Sequence, residues 1–205
     1  MVEVTIWSET KTGGKVVERF DTSVSSINLS DRRIATTDLS VLDQFPAIEV
    51  LTLSGNEISF IDLSVLRDRT ELLELSLNGN VMETIDLEPL EGCTGLMHLD
   101  LSFNKLKSVD LNPIVKCKAL KALHLYENKL ESIDLSPLSR CKKLRNLTLE
   151  KNAFTSIDVS GLFACPNLMK LGLDSEVVIS AKAKLKDQAK VPFGLKPLLG
   201  QINWE

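Results

Sequence analysis

Apolar residues recur along the chain with a period of 24. One leucine marks the same position in every copy: Leu29, Leu53, Leu77, Leu101, Leu125, Leu149 and Leu173. Five of these leucines are followed, three residues later, by an asparagine: Asn56, Asn80, Asn104, Asn128 and Asn152. A fixed period of roughly 20 to 50 residues indicates a solenoid, in which each repeat buries its apolar face against its neighbours.

Each copy predicts the same local structure. The Leu-x-Leu unit alternates apolar and polar residues, so it predicts a short strand with both leucines inward, and successive strands form a parallel sheet. The asparagine marks a turn where its amide binds nearby backbone. The following Ile-Asp-Leu unit predicts a second extended segment on the opposite side. Ser136-Pro137 predicts about two turns of helix, with serine as N-cap and proline at the first helical position.

The two ends of the chain depart from the repeat. Residues 1–26 alternate at Val2, Val4 and Ile6 and carry a Gly13-Gly14 turn, which predicts a β-hairpin cap. The seven repeats then occupy 27–173.

Residues 174–205 form the predicted C-terminal cap. We expect a short basic helix over 180–189, a break at Pro192 and a second helix over 194–202. The apolar residues expected to seal the last repeat are Phe193, Leu195, Leu198, Leu199, Ile202 and Trp204.

Two further rows of residues share the period. The cysteines Cys93, Cys117, Cys141 and Cys165 are interpreted as small buried residues, because stacked parallel side chains do not converge into a tetrahedral metal site. The aspartates Asp38, Asp62, Asp86, Asp110, Asp134 and Asp158 are expected to accept hydrogen bonds from backbone N–H groups at the start of each helix. Calcium binding along this row is the alternative.

The pattern Leu-x-x-Leu-x-Leu-x-x-Asn-x-Leu, as in Leu120 to Leu130, resembles the leucine-rich repeat family over residues 27–173. The resemblance implies an α/β solenoid, a curved right-handed superhelix whose parallel β-sheet lies on the concave face. The cysteine-flanked caps of secreted family members are missing, and Met1 to Trp7 does not read as a signal peptide. We therefore expect a cytoplasmic protein.

Charge and composition narrow the class of partner. The net charge is −4, yet residues 1–100 hold 18 acidic and 7 basic side chains while residues 101–205 hold 10 and 17. Two interpretations of this charge dipole stay open: it steers partners or favours head-to-tail association, or it is a drift in the composition of solvated faces. The negative total argues against nucleic acid, and no apolar run reaches the roughly 18 residues of a membrane span. No phosphate loop, zinc spacing or catalytic signature occurs, so we expect a monomer with no enzyme activity, catalytic residue, cofactor or metal.

Variation concentrates on the concave face of the predicted sheet. Both histidines and the only tyrosine lie there in adjacent repeats. The candidate partner-binding residues are His98, Asp100, Phe103, His124, Tyr126 and Glu150. Asp100 and His124 occupy equivalent positions on neighbouring strands and are expected to pair. Clustered aromatic residues are typical of a binding hot spot, whereas an Asp–His pair without an activated nucleophile does not indicate catalysis.

The sequence thus predicts a non-enzymatic module that binds a protein or peptide, of unknown identity, on its concave face. Two alternatives stay open. One is a regulator of another enzyme, of the GTPase-activating or inhibitor type, which the resemblance implies through an edge arginine such as Arg32, Arg33 or Arg69. The other is a targeting fragment of a larger multidomain protein.

Overall fold

The computed structural model describes residues 2–205, and its main element is a seven-stranded parallel sheet. One strand comes from each repeat, and the inward leucine of each strand lies opposite that of the next, so Leu75 pairs with Leu99. Numbered in chain order, these strands are β3 (Ser26–Asn28), β5 (Val50–Thr52), β6 (Glu74–Ser76), β7 (His98–Asp100), β8 (Ala122–His124), β9 (Asn146–Thr148) and β11 (Lys170–Gly172). The parallel solenoid is as predicted.

The predicted N-terminal hairpin is present. Strand β1 (Glu3–Thr10) pairs antiparallel with β2 (Lys15–Asp21), and its other edge pairs antiparallel with β4 (Ile34–Thr37). Gly13 closes the hairpin with a φ of +82°, a conformation that glycine adopts without steric cost. Val4 and Ile6 face the core, whereas Trp7 faces solvent.

Every helix in residues 2–205 is a 3₁₀-helix, where about two α-helical turns were predicted. They are η1 (Ser40–Gln44), η2 (Ser64–Leu66), η3 (Glu88–Gly92), η4 (Asn112–Lys116), η5 (Ser136–Arg140), η6 (Ser160–Ala164), η7 (Ala183–Leu185) and η8 (Phe193–Gln201). The tight i→i+3 bonds, such as Cys117 N–H to Ile114 O at 3.0 Å, match the short distance that a 24-residue repeat leaves for this side.

The serine N-cap prediction is wrong, and the aspartate row takes that role. Ser136 is the first residue of its helix, and its N–H donates to Asp134 Oδ1 at 2.8 Å. The same bond forms from the second residue after each of the other five aspartates, at Ser40, Ser64, Glu88, Asn112 and Ser160. The expectation that these carboxylates bind helix-start N–H groups is confirmed.

The second of the two expected C-terminal helices is present as η8 (Phe193–Gln201), whereas the first is reduced to the short η7 (Ala183–Leu185), which follows a strand. Strand β12 (Val178–Ala181) pairs with β10 (Ser156–Asp158) and with β13 (Ile202–Trp204), all in parallel. The β-branched alternation at Val178 and Ile179 lets the chain extend the β10 ladder before any helix begins. Leu195 and Ile202 are buried as expected, but Phe193 is 59% exposed.

The asparagine side chains join each repeat to the one before it. Asn104 Nδ2 donates to Leu101 O at 3.1 Å in its own repeat and to Leu77 O at 3.0 Å in the preceding repeat. Its Oδ1 accepts from Met82 N–H at 3.1 Å. The other four asparagines make the equivalent three contacts. The amide therefore satisfies buried backbone that the sheet does not reach.

The cysteines are buried and free, and each thiol contacts the carbonyl 27 residues earlier. Cys93 Sγ lies 3.1 Å from Leu66 O, and Cys165 Sγ lies 3.2 Å from Leu138 O. Arg69 occupies the same position of its own repeat, and its Nη2 donates to Leu42 O at 2.8 Å, again 27 residues earlier. Arginine and cysteine thus serve one structural requirement, a donor for a buried helix carbonyl.

We predict that Asn104→Ala destabilises the protein by roughly 3 kcal/mol or more, because it leaves several buried backbone groups without partners at about 1–3 kcal/mol each. Asn152→Ala should cost less, since Asn152 is only half-buried and water can reach its partners. Urea unfolding followed by circular dichroism measures both. Equal losses for the two variants would contradict the bridging role.

The thiols predict a loss of stability at alkaline pH. Burial raises the pKa of Cys117 and Cys165 from 9.0 to about 12, and that of Cys93 and Cys141 to about 11. Above pH 9 the unfolded chain releases these protons while the folded chain keeps them, so stability falls as the pH rises. The Cys117→Ala, Cys165→Ala double variant should lose less stability than the wild type between pH 8 and 10 in urea titrations. A slope as steep as that of the wild type would show that the thiols stay accessible.

Candidate functional site

The solvent-facing side of the seven-stranded sheet carries two rows of side chains. The first residues of the strands align as Val50, Glu74, His98, Ala122, Asn146 and Lys170, and the third residues as Thr52, Ser76, Asp100, His124, Thr148 and Gly172. A shallow depression between β6 and β8 is lined by Glu74, Ser76, His98, Asp100 and His124. The sheet thus brings His98, Asp100 and His124 together as predicted.

Asp100 and His124 lie opposite each other in register, yet the predicted pairing of their side chains is wrong. His124 Nδ1 lies 2.9 Å from Thr148 Oγ1, and Asp100 Oδ1 accepts from Ser102 N–H at 2.9 Å. Within the described residues no ion pair joins the two. Each side chain has a nearer partner, the aspartate in its own turn and the histidine on the next strand.

An aromatic cluster lies just beyond the ends of β7 and β8. The rings of Phe103 and Tyr126 meet edge to face with centroids 5.1 Å apart, and Phe103 remains 49% exposed. Lys151 Nζ lies 5.0 Å from the centre of the Tyr126 ring and 3.6 Å from Glu127 Oε1. Contact with Tyr126, followed by the charge of Glu127, raises the pKa of Lys151 above 10.5, so the ammonium stays charged at neutral pH.

The residue before each asparagine of the row, and Asp31 at the same position before Arg32, has a left-handed backbone. Its φ lies between 54° and 68° in six successive repeats, at Asp31, Gly55, Gly79, Phe103, Glu127 and Lys151. This conformation costs a residue with a Cβ about 1–2 kcal/mol, which Gly55 and Gly79 avoid. Phe103, Glu127 and Lys151 are therefore held at a strained position beside Tyr126. Sequence reasoning missed Glu127 and Lys151, although the two glycines were a signal for this conformation.

Glu150 also lies on this face, over the strand that follows it. Its carboxylate covers Gly172, where an added Cβ would collide with it. Its Oε2 is buried and has no hydrogen-bond partner among the described residues. Glu150 thus has one buried carboxylate oxygen without a donor among the described residues, in the position of its repeat that Tyr126 occupies in the preceding repeat.

The candidate edge arginines are placed differently from one another. Arg69 is only 15% exposed and donates to Leu42 O and Phe45 O, so it does not project toward a partner. Arg32 Nε donates to Glu18 Oε1 at 2.8 Å. Arg33 is exposed with a φ of +57°.

Within residues 2–205, no group of three or more His, Cys, Asp or Glu side chains has a geometry that would hold a metal ion. No helix in this part of the chain has the length and apolarity that crossing a bilayer requires.

The same repeat is found in known protein sequences. The sequence profile of the leucine rich repeat matches residues 70–130 and, again, 94–154. Residues 70–154 of the chain belong to the leucine-rich repeat family. No curated protein sequence matches it.

Solved structures share the leucine-rich repeat fold. A leucine-rich repeat protein of Leptospira interrogans superposes with a TM-score of 0.65 at 22% identity over 78% of this chain and 44% of its own. Internalin C2 of Listeria monocytogenes superposes with a TM-score of 0.61 at 24% sequence identity, over 92% of this chain and 80% of its own. The plant peptide hormone receptor RGFR1, solved in complex with RGF2, superposes with a TM-score of 0.67 at 24% sequence identity, over 78% of this chain and 26% of its own. At these identities the likeness shows the fold alone.

The left-handed backbone at Phe103 gives an unusual order of stabilities. Phe103→Gly should be within about 1 kcal/mol of the wild type, because relief of the left-handed strain offsets the lost edge-to-face contact, worth about 0.5–1.5 kcal/mol. Phe103→Ala should be about 1 kcal/mol less stable than Phe103→Gly, since alanine keeps the strain and loses the ring. Thermal unfolding of both variants tests the order, and an alanine variant at least as stable as the glycine variant would contradict it.

Proposed function

We propose that the protein is a non-enzymatic module that binds a protein or peptide on its concave sheet. The observation that carries the proposal is the aromatic cluster of Phe103 and Tyr126. A half-exposed Phe at a strained backbone position lowers the stability of the protein. Residues with such strain gather at functional sites, where binding or catalysis requires them.

The chemistry around the cluster suits a peptide. Phe103 and Tyr126 offer apolar contact area on side chains that have few torsions to immobilise, and so they bind at low entropic cost. His98 and the depression beside it extend the surface across three strands. A receptor of similar fold that was solved with its peptide hormone ligand gives this mode a precedent.

The proposal includes a monomeric protein in the cytoplasm, without cofactor, metal or nucleic acid. The enzyme-regulator alternative receives less support, because Arg69 is engaged by backbone carbonyls and Arg32 by Glu18. Of the three candidate edge arginines, Arg33 would then be the one available.

Selection from a displayed library of random peptides tests the proposal. Ligands recovered on the wild type should bind Phe103→Gly and Tyr126→Ala about tenfold or more weakly, since a hot-spot residue contributes about 1–2 kcal/mol or more. Phe60→Ala is the matched control, because Phe60 is 75% exposed but lies outside the strands of the sheet. Isothermal titration gives the affinities. Ligands that bind all three variants as tightly as the wild type would refute the concave site.

A further inference from the structure

A second surface, separate from the concave sheet, carries a cluster of seven basic side chains. We call it the basic edge; it lies where two adjacent repeats pass from 3₁₀-helix to strand. Its residues are Lys116, Lys118, Lys121, Arg140, Lys142, Lys143 and Arg145. All are exposed except Lys121, which is half-exposed.

The repeat places these cations in matching pairs. Lys116 and Arg140, Lys118 and Lys142, and Lys121 and Arg145 are each 24 residues apart, so they occupy equivalent positions in neighbouring repeats. The backbone confirms the stacking, because Arg145 N–H donates to Lys121 O at 2.8 Å. Equivalent positions in stacked parallel strands lie about 4.8 Å apart, so the like charges repel one another.

Acidic side chains of the protein neutralise little of this charge. Lys116 Nζ lies 2.6 Å from Glu91 Oε1. Lys142 Nζ donates to a backbone carbonyl, that of Ala164, at 2.8 Å. Among the described residues, none of the other five cations forms an ion pair. Lys190 lies along the same depression as Lys142 and adds a further positive charge. The surface therefore retains a strong positive potential that a bound anion would stabilise.

The same edge is net acidic in the preceding repeats. The corresponding loops and helix ends there carry Glu49, Asp68, Glu71 and Glu91 against Arg67 and Arg69, and the Arg69 guanidinium is bound by Leu42 O and Phe45 O. The positive potential is thus confined to two or three repeats, about 10–14 Å along the solenoid. A long nucleic acid or a flat anionic bilayer would also meet the acidic repeats and be repelled, whereas a short anionic segment would not.

We propose that the basic edge binds a short acidic segment of a partner protein. An extended segment rises about 3.3 Å per residue, so roughly four residues rich in Asp and Glu match the length of the patch. Several of their carboxylates would each approach a pair of matched cations. This site is distinct from the proposed concave site, and one partner segment could occupy it without the other.

Fluorescence anisotropy with a labelled peptide containing four consecutive glutamates tests the proposal. The Arg140→Glu, Lys143→Glu double variant should bind at least about tenfold more weakly than the wild type, because it replaces two attractions with two repulsions. The Lys105→Glu, Lys129→Glu double variant is the matched control. Both of its lysines are exposed, form no ion pair in the described chain and produce the same change in net charge. It should bind like the wild type.

Further arms separate this site from the concave one and from other anions. Phe103→Gly should bind the acidic peptide as the wild type does, and a glutamine peptide of equal length should not bind. Equal losses in the two charge-reversal variants would overturn the proposal, because they would show an effect of net charge alone. Loss of binding in Phe103→Gly would place the peptide on the concave sheet. Tighter binding to a single-stranded oligonucleotide or to phosphatidylserine vesicles than to the peptide would also overturn it.

Discussion

Buried backbone beyond the end of each strand is the constraint on which the solenoid depends. After the inward leucine the chain turns out of the sheet, and the carbonyl groups there have no ladder partner. The asparagine amide binds carbonyls of its own and the preceding repeat, while its oxygen accepts an N–H from the preceding repeat. A side chain with both donors and an acceptor is required, since a hydroxyl or carboxylate lacks the donors for two carbonyls. The asparagine therefore sets the distance between repeats as well as closing the turn.

The opposite side of the repeat meets the same constraint with different residues. Its short 3₁₀-helices leave N–H groups at their starts without helical partners, and the aspartates accept from these groups. The cysteine thiols lie against helix carbonyls that already accept an i→i+3 bond, as Leu138 O does from Cys141 N–H, so each thiol is a second donor to a buried oxygen. Arg69 shows that the requirement is for a donor rather than for cysteine, because its guanidinium reaches the equivalent carbonyl from a position that cysteine fills in later repeats.

These repeated requirements explain what could be predicted from sequence. The parallel sheet, the asparagine contacts, the aspartate contacts and the N-terminal hairpin each follow from a pattern that recurs or from a strong turn signal. The 3₁₀ form of the helices could not be predicted from such a pattern, because it depends on the space that the neighbouring repeats leave. The partner of His124 was missed for a related reason: register places Asp100 opposite, but the rotamers select Thr148. Glu150 needed the structure, since its orientation follows from the missing side chain of Gly172.

The left-handed position before each asparagine connects this scaffold to the candidate binding surface. The turn that brings the amide into the core has a positive φ at that residue in the first six repeats, whatever its side chain. Glycine is the least strained choice and occurs in two repeats. Where Phe103, Glu127 and Lys151 stand instead, the asparagine contacts and the leucine core must supply the stability that the strained backbone removes. This loss of stability occurs in three consecutive repeats, all beside Tyr126. The repeated turn is rigid, and it therefore holds an aromatic, an acidic and a basic side chain at the edge of the sheet despite their strained backbone.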